Sequence, residues 1–469
     1  MKILFVIYDD DAQISEFPLG IAYLSSFLRK HGYKEIVIYN QDIYHFPETH
    51  LTDYLDRNHF DVICVGVIGG YYQYAKLKSI CAAINKSKDR PILILGGYGP
   101  SPEPQFFMQK TGADFCVIGE GELPLLNLLN EINGSRNYAT VKSIMYRDNN
   151  EFVATPREKT IKDLDNIPFP AWDLFPIEAY ALYKSAGAVG SVRTMPILTC
   201  RGCMYSCNFC YRMESGYRIR SYEAIIEEIE RLNKDYSITF IRLRDELLMA
   251  TEKRVIGFCE ALLKSGIKVQ FDCNGRLNTA KPNVLKLMKK AGCVYINYGI
   301  ESLDQNVLDL MNKHQTIEEI HNGIEATLSE GINPGFNILW NNIADSEETL
   351  KKGVEFLKKY NKYSETRTIK PVTPYPGSSL YYNAINQGLL EGPEDFYENK
   401  HLNSDLIAVN FMEMSDEEAY KLLYEANKEL LKDHYDHVCS NAIEAHRRLY
   451  IEGDVTFRGA RHANKARQI

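Results

Sequence analysis

The chain opens on short, nearly continuous runs of Val, Ile and Leu separated by stretches of helical periodicity. The runs KILFVIY (2–8), EIVIY (35–39), DVICVGVIG (61–69), PILILGG (91–97) and DFCVIGEG (114–121) lack the alternation of a strand with one wet face. They predict strands buried on both sides. Patterns between them, such as PLGIAYLSSFLRKHG, opened by Pro18 and closed by Gly32, predict helices. Strand-helix units of this kind across residues 1–135 predict a doubly wound, Rossmann-like parallel sheet, in which ligands lie beyond the carboxyl ends of the strands. Those ends read IGGYY, LGGYGP and IGEGE, so backbone there either turns sharply or comes close to a ligand. No GxGxxG directly follows the first run, and a dinucleotide reading fails.

Residues 136–187 read as a linker. SIMYRDNNEFVAT predicts a hairpin turning at Asn149 and Asn150, and LDNIPFPAWDLFP carries three prolines that forbid a regular element. A second alternation fills residues 188–375. Its strand candidates are TMPILTC (194–200), ITFIRLRDE (238–246), KVQFDCN (268–274), VYINYGIES (294–302), PGFNILW (334–340) and TRTIKPVT (366–373). Six units predict an open, partial (β/α)6 barrel of the TIM type, with chemistry on the loops after the strands. Those positions are polar: Cys203 onward, Asp245 and Glu246, Asn274 and Arg276, Glu301 and Ser302, and Asn337. A succession of such ends on one rim points to a polar ligand. Residues 376–469 predict a small, mostly helical region; SDEEAYKLLYEANKELLKDHYDHV opens on a Ser-x-x-Glu cap and predicts an amphipathic helix packed against the barrel mouth. The fold class is α/β.

Composition narrows the function. A chain of 469 residues exceeds one hydrophobic core, and 45% hydrophobic with 25% charged residues is ordinary globular composition. A net charge of -8 disfavours non-specific binding to nucleic acid or anionic membrane. The basic closing stretch HRRLYIEGDVTFRGARHANKARQI reads first as a solvated tail and second as a phosphate-binding run. MKILFVIYDDD does not have the form of a signal peptide, and no apolar run reaches the roughly 18 residues of a membrane span. The expected location is the cytoplasm. There, clustered cysteines bind metal or do chemistry, while Cys64, Cys81, Cys116, Cys259, Cys273, Cys293 and Cys439 read as small core residues.

One cluster stands out: CRGCMYSCNFC, Cys200 to Cys210. Two zinc knuckles need their CxxC pairs roughly 15–20 residues apart, and these are far closer. A bacterial ferredoxin run needs CxxCxxC with a further cysteine and proline, whereas Tyr211 follows the last cysteine here. The third reading takes only Cys203, Cys207 and Cys210, whose thiolates can hold three corners of a [4Fe–4S] cluster. The fourth iron is then open to a substrate or cofactor. On this reading Cys200 ends the first barrel strand and does not ligate, with a fourth-ligand or redox role left as an alternative.

These residues resemble the radical S-adenosylmethionine superfamily, whose signature CxxxCxΦC is met by Cys203, Cys207, Phe209 and Cys210. TCRGCMYSCNFCYR, RIRSYEAIIEEIE, AGCVYINYGIESLDQNVLDLMNK and TPYPGSSLYYNAINQGLL resemble landmarks of the subgroup with an N-terminal cobalamin-binding domain. FPLGIAYLSSFLRKHGY and LGGYGPSPEPQFFMQKTGADFCVIGEGELPLLNLL resemble that domain itself. The resemblance spans roughly residues 1–390. It implies three cofactors: a [4Fe–4S] cluster on Cys203, Cys207 and Cys210, S-adenosylmethionine and cobalamin. It further implies main chain around Phe209 against the adenine, Glu301 with Ser302 on the methionyl or ribose part, and Asn274 and Arg276 on the same rim. Gly96, Gly97, Gly119, Glu120, Gly121 and Glu122 match the loops around cobalamin, and Pro18 and Gly20 match the first loop.

Two features depart from the pattern. The DxHxxG motif that brings a histidine to cobalt is absent around His31, His45, His50 and His59. Tyr71, Tyr72 and Gln73 are then the candidates to cover the lower face of cobalt. RLRDELLMA replaces the usual DDxF after the second barrel strand, which leaves the role of Asp245 open. The implied activity is C-methylation at an unactivated carbon of a small metabolite, with cyclisation, ring contraction or redox rearrangement as the alternative. A non-enzymatic iron–sulfur carrier is the more distant rival. An external one-electron reductant of flavodoxin or ferredoxin type, no nucleic-acid or membrane partner, and a monomer complete the expectation.

Overall fold

The computed structural model describes residues 1–9, 11, 16–183, 187, 188, 190 and 192–456; the second half of the basic tail lies outside them. In the first domain the strands are β1 (Lys2–Ile7), β2 (Glu35–Asn40), β3 (Val62–Gly66), β4 (Ile92–Gly96), β5 (Phe115–Val117), β6 (Ile144–Asp148) and β7 (Glu151–Ala154). They lie in the order β2-β1-β3-β4-β5-β6-β7. The first five are parallel, and β6 and β7 are antiparallel. Strand pleating explains the apolar runs. Ile3 and Phe5 face one core with Phe27, Leu28 and Leu125, while Leu4 and Val6 face another with Leu51, Leu77 and Phe107. Both faces are buried, as the sequence predicts.

The hairpin forms where expected, with Asn149 (φ 48°) and Asn150 (φ 71°) both left-handed, the backbone that a two-residue hairpin turn requires. Its first strand pairs with β5, so this stretch is the edge of the sheet instead of a free connection. Strand order places the topological switch point between β1 and β3, where such sheets open a crevice at their carboxyl ends.

The second domain contains β8 (Thr194–Ile197), β9 (Cys200–Gly202), β10 (Tyr217–Ile219), β11 (Phe240–Leu243), β12 (Gln270–Gly275), β13 (Cys293–Glu301), β14 (Asn333–Trp340) and β15 (Lys370–Pro371). Six of these form a parallel sheet in the order β15-β14-β13-β12-β11-β8, a half-barrel. The expectation for Cys200 needs correction. β8 ends at Ile197, and Cys200 opens β9, which pairs antiparallel with β10 as a ribbon separate from the barrel. The cause is Asp245: its carboxylate accepts from the backbone N–H groups of Thr199 (2.6 Å) and Cys200 (3.0 Å) and draws the chain out of the barrel sheet.

The C-terminal helix Asp416–Tyr450 is capped by Ser415, whose side chain accepts from Glu418 N. Its buried stripe, Ala419, Leu423, Ala426, Leu430 and His434, packs along the outer barrel helix Glu347–Lys359. Ahead of it, residues 375–411 run back across the first domain. Tyr381, Phe396, Tyr397, Ala408 and Val409 share a core with Val65, Tyr74 and Phe106. Among the described residues no helix is long and apolar enough to cross a membrane.

Candidate active site

The cysteine loop leaves β9 at Gly202 and returns into β10 at Tyr217. Gly202 (φ 82°) sits where a Cβ would strike the carbonyl of Gly216, so only glycine lets the ribbon close there. Between these ends the loop is held from the barrel. The Arg276 guanidinium lies 3.7 Å from the centroid of the Tyr205 ring, and Asn312 Nδ2 donates to Ser206 O at 2.9 Å. Asn208 N donates to Met311 O (2.9 Å), and Asn208 O accepts from Leu380 N (2.8 Å). Cys203 and Cys207 are half-buried and Cys210 is solvent-accessible. Its surroundings of protein nevertheless push the Cys210 thiol up to about 12, with Cys207, Glu246, Cys203 and Glu301 adding to the rise. Burial also raises Cys203, helped by Glu246 and Cys207. Cys203 and Cys210 thus feel the same neighbours, Glu246 and Cys207. Cys203, Cys207 and Cys210 lie on this one loop, and among the described residues no three His, Cys, Asp or Glu side chains converge as they would around a single ion.

Barrel strand ends converge on the same place. Asn274 Nδ2 donates to Asp245 O (3.0 Å), Asn297 Nδ2 to Asn274 Oδ1 (3.3 Å), and Asn337 Nδ2 to Asn297 Oδ1 (3.0 Å). This carboxamide ladder crosses β12, β13 and β14. Asn297 escapes the sequence reading because it is enclosed in the apolar run VYINYGI. Arg276 is buried, and Nη2 donates to the carbonyls of Lys313 and His314. Its Nε is buried without a partner. Glu301 ends β13 at a break in register, with φ 68°, a strained backbone for a residue with a side chain. Its buried carboxylate accepts from Lys313 Nζ at 2.8 Å. Ser302 Oγ accepts from Asp304 N at 3.2 Å.

Asp245, whose role the sequence leaves open, is fully buried and also accepts from the Thr199 hydroxyl. Burial raises its carboxyl above the ordinary range, against the hydrogen bonds from Thr199 and Cys200. It therefore positions the ribbon.

The first domain presents its own strand ends. Gly97 (φ 102°) passes so close to β3 that a Cβ would lie 2.5 Å from Val67 O. Gly119 (φ 89°) receives the side chains of Glu214 and Arg157 in the space a Cβ would take, and Gly96 and Gly121 flank these turns. Ile68, at the end of β3, is 67% exposed, and an isoleucine so open at the switch-point crevice suits a large ligand with an apolar face. Glu120 and Glu122 are engaged elsewhere, by Arg201 and Arg218 of the ribbon. Burial would raise the Glu122 carboxyl, but Arg201 more than offsets this and holds it low. Pro18 caps the helix Leu19–Lys30 and Gly20 faces open space. Tyr71 opens the helix Tyr71–Asn85, and its side chain lies outside the described structure.

The two rims touch. Tyr98, next after Gly97, donates to Glu246 Oε1 at 2.8 Å and meets the Tyr211 ring edge-on, centroids 6.0 Å apart. Gly377 (φ 89°) fits against both Tyr211 and Pro102.

Comparison with known proteins agrees with this division. Residues 10–129 match the B12 binding domain and residues 197–357 the Radical SAM superfamily. The chain belongs to the radical S-adenosylmethionine enzymes that carry a B12-binding domain ahead of the radical domain. Its cofactors are a [4Fe–4S] cluster, S-adenosylmethionine and cobalamin. It is 26% identical over 474 residues to an uncharacterized methyltransferase of Pyrococcus horikoshii, covering 96% of this chain and 99% of that one. It is 28% identical over 374 residues to an anaerobic magnesium-protoporphyrin IX monomethyl ester cyclase of Rubrivivax gelatinosus, covering 78% of this chain and 65% of the cyclase, just under two thirds of its length. The fold is that of the radical S-adenosylmethionine methyltransferase TsrM from Kitasatospora setae, with a TM-score of 0.67 at 15% identity over 84% of this chain and 80% of that one.

Proposed function

We propose that this enzyme is a C-methyltransferase acting on an unactivated carbon of a small metabolite. The observation that carries the reading is the contact between the two rims, Tyr98 on Glu246 and Tyr211, which puts the glycine turns of the first domain beside the cysteine loop. Cys203, Cys207 and Cys210 hold the cluster, and main chain at Phe209 borders the adenine. Glu301 and Ser302 take the methionyl or ribose part, with Asn274 beside them. Arg276, whose Nη2 is committed to the carbonyls of Lys313 and His314, lies on the same rim. Gly96, Gly97, Gly119 and Gly121 let backbone approach cobalamin. When bound, the cluster and S-adenosylmethionine supply radical chemistry and cobalamin supplies a methyl group. The chain's own work is to orient the groups and exclude water, for which the Tyr98, Tyr211 and Gly377 packing closes one side of the seam. A flavodoxin- or ferredoxin-type protein delivers the electron, and the enzyme works as a cytoplasmic monomer.

The similarity to the Rubrivivax cyclase favours non-methylating chemistry as the second reading. Reaction with methyl-labelled S-adenosylmethionine under anaerobic reduction separates the two. Methylation predicts 5′-deoxyadenosine, S-adenosylhomocysteine and label in the product. Formation of 5′-deoxyadenosine alone, with no label transferred, contradicts it.

A further inference from the structure

The ribbon that closes the cysteine loop contains a repulsion. Arg201 of β9 and Arg218 of β10 stand directly opposite each other in its register, and like charges in that relation push strands apart. Both side chains are largely buried, at 17% and 13% exposure, so water screens them poorly. Among the described residues, the acids that offset the repulsion come from the first domain. Glu120 reaches both arginines, at 3.3 Å from Arg201 Nη1 and 3.1 Å from Arg218 Nη1. Glu122 takes Arg201 Nη2 at 2.6 Å. Arg218 Nη1 also donates to Ile161 O at 2.6 Å, and the Arg201 guanidinium lies over Tyr23 of the helix Leu19–Lys30.

We infer that Glu120 and Glu122 are positioning residues: they clamp the cluster-bearing ribbon shut from the cobalamin domain and do not bind cobalamin. The inference rests on the reading of the loop as the cluster site and adds how its geometry is set. Two arginines across a three-residue ribbon form a closure that is complete only when the loop after β5 is docked. The glycine turns of that same loop, Gly119 and Gly121, lie at the carboxyl end of β5, on the rim that the functional reading assigns to cobalamin. The cobalamin seat and the cluster loop therefore share one structural element, and the acids transmit its placement to the ribbon.

Amide hydrogen exchange on the full-length, anaerobically reconstituted protein tests this, with cobalamin retention after gel filtration measured beside it. The E120Q/E122Q variant should speed exchange of ribbon amides in 200–202 and 217–219 by about tenfold or more, as expected from losing charge-assisted hydrogen bonds. Cobalamin retention should not change. Adding R218Q should then slow the ribbon again, because the surviving frustration is the arginine pair; a loss of ordinary packing would instead deepen. R218Q alone should speed ribbon exchange less than E120Q/E122Q does, because it removes the repulsion together with one of the bonds; the single variant E120Q, which leaves both arginines short of an acid, should speed it as well, and unchanged exchange there would overturn the clamp even if the double variant fails to fold. Unchanged ribbon exchange in E120Q/E122Q, a worse ribbon on adding R218Q, or cobalamin loss with an intact ribbon would each overturn the clamp. Wild-type protein that retains no cobalamin would defeat the functional reading, while the exchange comparison would still judge the clamp.

Discussion

Tyr98 at the end of β4 donates its phenolic hydrogen to Glu246 at the end of β11, 2.8 Å away. One residue of the cobalamin domain and one of the radical domain thus share a bond at the rim where both put their strand ends. Desolvation by the surrounding protein raises the Glu246 carboxyl, and the bond from Tyr98 opposes that rise. Removing the hydroxyl in Y98F leaves an exposed carboxylate that water can satisfy, so the cost in stability should be no more than about 1 kcal/mol. Denaturant unfolding under anaerobic conditions should show a loss no larger than that.

The ligand set makes a contrast within one short stretch. C203A, C207A and C210A should each lose most of the iron and the cluster absorbance after reconstitution. C200A should keep them, because the Cys200 thiol is buried, its pKa raised by that burial, and its Sγ directed to Leu247 O at 3.7 Å. Iron loss in C200A would return it to the ligand set.

At Gly97 a side chain meets two obstacles, the left-handed backbone and Val67 O at 2.5 Å. G97A should cost about 1–3 kcal/mol from backbone strain alone, more with the clash. Cobalamin retention should fall in the same variant, since the turn it distorts lies on the proposed corrin rim.

His401 gives the fold an acid limit. It is fully buried between Phe396 and Tyr375, with neither ring nitrogen bonded, and burial lowers its pKa from 6.5 to about 4. The folded state therefore holds this proton less tightly than the unfolded one. Its contribution to stability is intact above pH 6.5 and is lost as pH falls through that value toward 4, by up to about 3 kcal/mol. Wild type should show this decline in unfolding free energy, and H401L should show little of it.

Much of the fold was legible because its strands are buried on both faces, so β1, β3 and β4 read as unbroken Val and Ile. The cysteine spacing was legible because a motif is local. What escaped was non-local or too short for a period to show. The ribbon strands β9 and β10 have three residues each, too few for any period to separate Cys200 from the barrel strand before it. Glu120 and Glu122 resembled cofactor-loop residues, yet their partners Arg201 and Arg218 lie in the other domain and no local pattern links them. Nothing in RLRDELLMA reveals that Asp245 bends the chain at Thr199. Asn149 and Asn150 show the converse: turn chemistry is local, and the hairpin appeared in place.

On the proposed function, one chain holds the iron–sulfur cluster and cobalamin at a shared seam. The most direct measurement is the cobalamin, iron and sulfide content of protein purified and reconstituted without oxygen and then gel-filtered. The account predicts about one cobalamin and about four irons per chain. Four irons with no retained cobalamin would contradict it and leave a radical enzyme whose first domain serves the clamp alone.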